Sequence, residues 1–189
     1  MKYPLTTKRL VIEPLGRADI EAFHAYRQDP DIARWQSWSP DYSIEEARRL
    51  VESQPTTHLP SPGDWIQYAI HDRFDGSLRG DVALHLLPDQ PDTYEMGATI
   101  ARPSQHQGYA IEAAHAIVEC LLTDPEIGAH RVIASCDSRN EPVARLLRRI
   151  GMRHESRQVD ADYFKGEWTT LDGYAILASE WPPASIQNG

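Results

Sequence analysis

TIARPSQHQGYAIEAA, residues Thr99 to Ala114, is the stretch on which the reading of the whole chain turns. It begins at the end of a β-forming run, passes through a polar loop with Pro103, and enters a helix beside Gly108. Beyond it, Ile117, Val118, Leu121 and Leu122 continue the helical spacing begun by Ile111 and Ala114, so the helix is predicted over Tyr109 to Thr123. A helix N-terminus exposes unpaired N–H groups and a partial positive charge, which suits a phosphate. Gly108 leaves room for a ligand to approach the backbone, and Ala110 keeps the next close position small. A dinucleotide-binding turn would need G-x-G-x-x-G with an acidic residue about 20 positions later, and a nucleoside-triphosphate loop would need G-x-x-x-x-G-K-[ST]. Neither pattern occurs in the chain.

Upstream, the strands are predicted near Trp65–His71, Leu78–Leu87 and Thr93–Ala101. Asp75-Gly76 joins the first two and Pro88 to Asp92 joins the second two, which makes an antiparallel meander. An earlier strand is read at Leu10 to Leu15, followed by a helix carrying Ile20, Phe23 and Tyr26 that Asp29-Pro30 stops. Ser43 and Glu46 form a capping box for a second helix with Ile44, Ala47, Leu50 and Val51 on one face. The prolines and glycine between Gln54 and Asp64 mark a loop. Downstream, Arg131 to Cys136 is a short apolar strand. Asn140 opens a helix that Gly151 closes, and Trp168 to Leu177 is a late strand. A strand–helix–strand unit across residues 93–136 calls for a right-handed crossover and one parallel pair. The expected fold is therefore α/β (α+β), one domain over residues 1–181, with a loose tail at 182–189.

The bulk numbers agree with an ordinary globular protein. Hydrophobic residues make up 41% and charged residues 25% of 189 positions, enough for a real core. Nineteen basic against 28 acidic residues give a net charge of −9, which argues against sequence-independent nucleic-acid binding and suits a cationic partner. No apolar run has the length of a membrane span, and the N-terminus lacks a signal-peptide core. Cys120 and Cys136 stand in apolar contexts and read as buried free thiols, which places the protein in the cytoplasm. The histidines have no metal-ligand spacing, so no metal is expected.

The spacing Gln105-x-x-Gly108-x-Ala110 resembles the Q/R-x-x-G-x-G/A pyrophosphate loop of the GNAT acetyltransferases. Gly108 to Ala113 is similar to the GYATEA run of the RimJ/RimL branch, which acetylates ribosomal-protein N-termini. Thr7-x-Arg9-Leu10, Arg79-Gly80-Asp81, His130-Arg131-Val132, Asp137-x-x-Asn140 and the closing stretch to Trp181 resemble further elements of that branch, in the same order. The resemblance implies the GNAT fold: a mixed, mostly antiparallel sheet of about seven strands, helices on both faces, splayed where acetyl-CoA (coenzyme A) lies. It implies pyrophosphate binding by the N–H groups of Gln107, Gly108, Tyr109 and Ala110, with Gln105 in the same loop. It also implies pantetheine pairing along Thr99, Ile100 and Ala101, and a contact from Asn140. The acceptor would be a primary amine, either a protein N-terminus or a small molecule. A homodimer stays open, and so does a non-catalytic acyl-CoA-binding or partner-binding module on the same scaffold.

Acetyl transfer needs a neutral amine, so a carboxylate can serve as general base. Glu95, in Tyr94-Glu95-Met96-Gly97, is the candidate, against the alternative of a solvated strand glutamate. Trp35, Trp38 and Tyr42 are candidates to wall the acceptor site, because aromatic faces hold cations; the alternative is ordinary loop packing. Val143 and Leu147 stand where relatives of this type carry a serine and a tyrosine, which leaves no side chain assigned to protonate the leaving thiolate.

Overall fold

Alternating apolar residues commit the centre of the chain to strands, and the chain's glycines and prolines set their ends. The computed structural model describes residues 4–55 and 57–182. Among these, eight strands form one sheet in the order β1-β2-β3-β4-β5-β6-β8-β7. They are β1 (Leu5–Thr6), β2 (Leu10–Pro14), β3 (Trp65–Asp72), β4 (Leu78–Leu86), β5 (Thr93–Ile100), β6 (Arg131–Asp137), β7 (Arg153–Phe164) and β8 (Glu167–Leu177). The helices are α1 (Ile20–Arg27), α2 (Pro30–Ala33), α3 (Ile44–Glu52), α4 (Tyr109–Thr123) and α5 (Glu141–Arg149). Every strand pairing is antiparallel except β5 with β6, the pair that the α4 crossover joins.

The two faces of the sheet carry separate cores. Leu10 and Ile12 of β2, Ile66, Tyr68 and Ile70 of β3, and Val82 and Leu84 of β4 pack with Ile117, Val118 and Leu121 of α4. On the other face Ala69 packs with Phe23 and Tyr26 of α1 and Ala47 and Val51 of α3. Asp81 of β4 also points to that second face, where it accepts the Tyr26 hydroxyl hydrogen in full burial. The capping box at α3 is formed, with Ser43 Oγ accepting from Glu46 N and Glu46 reaching back to Ser43 N.

Three differences from the sequence reading have clear causes. Asp29-Pro30 ends α1 but also starts α2, because Asp29 accepts from Asp31 N and proline fits the first helical position. The strand β7 was not expected, because it is an edge strand with most residues exposed and no apolar alternation to reveal it. The strand β1, only two residues long, was not read as a strand either, and the sheet has eight strands where about seven were expected. The β7–β8 turn is Lys165-Gly166, both with positive φ (50° and 91°), and Lys165 Nζ donates to the carbonyls of Ala33 and Trp38. The loose tail expected at 182–189 lies outside the described residues from 183 onward.

Candidate active site

β5 and β6 pair over only three registered positions, Thr93↔Arg131, Tyr94↔Val132 and Glu95↔Ile133. Past Glu95 they separate, while β5 stays paired with β4 as far as Gly80↔Ile100 and β6 with β8 as far as Asp137↔Leu171. The alternation of antiparallel pairing says which backbone groups face the gap. Ala101 N donates to Arg79 O and Leu87 N to Thr93 O, so the odd-numbered residues of β5 bond to β4. Met96, Ala98 and Ile100 therefore turn their N–H and C=O groups into the gap. On β6, Ala178 N donates to His130 O and Ser138 N to Thr170 O, so Ser135 and Asp137 turn theirs in from the other side. Close approach keeps β5 in place: a Cβ on Gly80 would lie 2.1 Å from the Thr99 carbonyl oxygen.

The gap is continuous with a cavity of about 290 Å³ lined by Ala98, Thr99, Ile100, Gly108, Tyr109 and Asn140, among others. A deeper cavity of about 140 Å³ adds Met96, Gly97, Ser135, Cys136 and Leu147. Trp35, Gln36, Ala98, Asn140, Val143 and Leu146 line both. At the outer end, α4 begins at Gly108, whose φ is +82°. Among the described residues, the N–H groups of His106 to Ile111, at the end of the loop and in the first turn of the helix, have no partner at ordinary hydrogen-bond geometry. Tyr109 is fixed by its hydroxyl, which donates to Asp72 Oδ2 at 3.3 Å, and the guanidinium groups of Arg9 and Arg79 lie over its ring. Asn140 caps α5 through Oδ1, which accepts from Val143 N.

The expected cofactor residues do not all fall here. Thr99, Ile100, Gln105, Gly108, Tyr109, Ala110 and Asn140 line the larger cavity. The Gln105 side chain is turned back to donate to Ile100 O at 3.0 Å. Ala101 is outside the lining, with its N–H committed to Arg79 O. Gln107 is outside it too: its side chain donates to Pro103 O and its carbonyl accepts from Arg9. Sequence reasoning passed over Met96, Ala98 and Ser135, which the strand alternation in β5 and β6 places in the gap. Arg9 and Glu112 were missed as well, since their contact spans 103 residues of sequence.

Glu95 sits where β5 and β6 part, on the sheet face opposite α4, and lines neither cavity. Its Oε2 lies 3.4 Å from His85 Nδ1 on the facing β4 residue, and Trp65 stacks on His85 at 4.7 Å. Of the three aromatic candidates, Trp35 lines both cavities. Trp38 and Tyr42 instead pack around Arg27, whose guanidinium carbon is 3.8 Å and 5.0 Å from their ring centres. The α5 wall of the gap is apolar, formed by Val143, Leu146 and Leu147. Burial pushes the Cys136 thiol up to about 11, and the carboxylates of Asp172 and Asp137 add to the shift. Burial also raises the Asp81 carboxyl, opposed by the charge of Arg27 and the Tyr26 hydrogen bond. Among the described residues no group of three or more His, Cys, Asp or Glu is placed to hold a metal, and no helix is long and apolar enough to cross a membrane.

A family model described as the acetyltransferase (GNAT) domain matches residues 9–153. The uncharacterized N-acetyltransferase YnaD of Bacillus subtilis (strain 168) is 31% identical over 186 residues, covering 94% of this chain and 98% of its own. Among solved structures, a GNAT-family acetyltransferase from Bacillus anthracis superposes with a TM-score of 0.82 at 27% identity, covering 93% of this chain and 99% of that one. The spermidine N-acetyltransferase of Vibrio cholerae, solved with CoA and spermine, superposes with a TM-score of 0.77 over 92% of this chain and 98% of its own. At 18% identity that last likeness is one of fold. A parallel strand pair that opens past three positions, a helix start with unbonded N–H groups, and a family match across most of the chain lead to one assignment: this is a GNAT N-acetyltransferase of the RimJ/RimL-like family.

Proposed function

We propose that the chain moves an acetyl group from acetyl-CoA to a primary amine, by direct attack while both are bound. The observation that carries this is the gap between β5 and β6, which opens onto the unbonded N–H groups at the start of α4. A pantetheine arm has amides that can pair with Ala98 and Ile100 on one side and Ser135 on the other, completing the interrupted ladder. The N–H groups of Gly108, Tyr109 and Ala110 suit a pyrophosphate, and Gly108 keeps a side chain out of its space. A gap-facing N–H of β5 is the candidate to polarise the thioester oxygen. Glu95 takes the proton from the acceptor amine, directly or through water, with His85 beside it. The apolar α5 wall places no hydroxyl near the leaving sulfur, so the thiolate departs with help from water and backbone dipoles.

The acceptor is either a protein N-terminus, as the branch suggests, or a small amine; one scaffold serves both. The apolar wall at Val143 and Leu147 favours a second reading, a non-catalytic acyl-CoA-binding module. Calorimetry with CoA on the wild type and on Gly108→Val tests the cofactor site. Loss of binding in a folded Gly108→Val protein is expected, and unchanged affinity would remove the main support for the site. Thiol release from acetyl-CoA with a panel of peptides, polyamines and aminoglycosides then separates enzyme from module: binding without turnover favours the module.

A further inference from the structure

Glu112, in the first turn of α4, accepts three hydrogen bonds from the N-terminal arm of the chain. Thr7 Oγ1 donates to Oε1 at 2.6 Å, Arg9 N to the same oxygen at 2.9 Å, and Arg9 Nε to Oε2 at 2.7 Å. Burial acts to raise the Glu112 carboxyl, but these donors and the Arg9 charge hold it below the ordinary value, so it is an anion. The other end of the guanidinium reaches the loop: Arg9 Nη1 donates to Gln107 O at 2.9 Å. A Cβ on Gly108 would come within 3.3 Å of Arg9 Nη2, so this glycine is also what lets the arginine in.

In a trans peptide the C=O and the following N–H point in opposite directions. Tying the Gln107 carbonyl to Arg9 therefore aims the Gly108 N–H away from Arg9, toward the cavity. There is an electrostatic side too. A carboxylate in the first turn of α4 opposes an incoming phosphate unless it is neutralised, and Arg9 pairs with it at 2.7 Å. One side chain thus does two jobs, setting the direction of a donor and cancelling a charge behind it.

We propose that Arg9, held by Glu112, which Thr7 in turn hydrogen-bonds, is a positioning residue for the pyrophosphate loop, required for coenzyme A affinity without forming part of the acetyl-transfer chemistry. The inference rests on the loop being the pyrophosphate site. A purely structural staple between β2 and α4 is the competing account, and charge logic separates the two. Arg9→Gln leaves the Glu112 anion unpaired behind the phosphate, whereas Arg9→Gln with Glu112→Gln removes both charges.

The test is calorimetric titration of CoA into the wild type, Arg9→Gln, Glu112→Gln and the double variant, with thermal midpoints alongside. Arg9→Gln should weaken CoA by about tenfold. The double variant should recover part of that loss although it restores no contact, a rescue that a staple does not give. Arg9→Lys keeps the charge but cannot span both Glu112 and Gln107, so it should fall between wild type and Arg9→Gln. It also carries the test if Arg9→Gln does not fold. A folded Arg9→Gln or Arg9→Lys protein with wild-type affinity overturns the inference, as does a double variant no better than Arg9→Gln. A wild type that binds no CoA overturns the pyrophosphate reading and this inference together, whereas a binding wild type with unaffected variants overturns the inference alone.

Discussion

The guanidinium carbon of Arg27 lies 3.8 Å from the centre of the Trp38 ring. Phe23 and Tyr42 complete the enclosure, Trp38 Nε1 donates to the Arg27 carbonyl at 3.1 Å, and Arg27 is 4% exposed. The faces of Trp38 and Tyr42, two of the three aromatic candidates for a cationic substrate, are thus taken up by a cation of the chain itself. The same guanidinium stabilises the charge of Asp81 from within the second core. Arg27→Met keeps the stem and removes the charge that faces three aromatic rings and opposes the effect of burial on Asp81. We expect a loss of about 2 kcal/mol by urea denaturation. A loss below about 1 kcal/mol would mean that Asp81 does not depend on Arg27.

His71 ties β3 to the start of α1 and to β2. Its Nε2 is 2.7 Å from Asp19 Oδ1 and its Nδ1 is 3.3 Å from Glu13 Oε1. The Asp19 hydrogen bond raises the imidazole above its ordinary 6.5, against the pull of burial. A folded-state value above the unfolded one contributes stability that is complete below about pH 6.5 and is lost as pH rises through the folded value. Wild type should therefore lose stability relative to His71→Gln as pH goes from about 6 to 9. Urea midpoints across that range check this, and parallel curves for the two proteins would contradict it.

Glu95→Gln keeps shape and hydrogen bonding but cannot take a proton. If the carboxylate deprotonates the acceptor, kcat should fall by roughly 10²- to 10⁴-fold while CoA affinity is kept. The defect should shrink at higher pH, where more of the amine is already neutral. Near-normal kcat at neutral pH would leave catalysis to positioning alone, and a defect confined to KM would place Glu95 in acceptor binding.

Cys136 lines the deeper cavity with its thiol held near 11. Alkylation by a maleimide should therefore be slow at neutral pH, and its rate should keep climbing past pH 9 instead of levelling near the usual thiol value. If CoA occupies the β5–β6 gap as proposed, it should protect this thiol. Cys120, half-buried on α4 and outside both gap-lining sets, should show no such protection. Mass spectrometry of labelled peptides distinguishes the two thiols, and equal protection of both would point to a global effect of the ligand.

What the sequence disclosed and what it concealed follow from the range of the interactions. The bounds of α4, the α3 capping box and the β3–β5 meander depend on neighbours a few residues apart, and they match the expectation closely. The parallel β5–β6 pair was legible because a crossover of that length has one usual outcome. In contrast, β7 buries little on either face, so nothing in its composition marks it except the Lys165-Gly166 turn that follows. Trp38 and Tyr42 were legible as aromatic residues but not as partners of Arg27, which lies 11 and 15 positions away. Arg9 was legible as part of a motif, but its grip on Gln107 exists only once β2 and α4 lie side by side.

Lys165 adds a constraint on when the site can become ordered. Its ammonium group donates to Ala33 and Trp38, across separations of 132 and 127 residues. Trp35, which lines the gap, lies between those two carbonyls. The chain must therefore have been made at least through Lys165 before this segment meets its clasp. A nascent chain ending at α5 already has the β5, β6 and α5 residues that line the gap but not the lysine that ties down the segment around Trp35. Contacts of such long sequence separation form late because loop closure comes first. Order around Trp35 would accordingly report formation of the β7–β8 hairpin, and fragments cut before it should show that segment open to proteases.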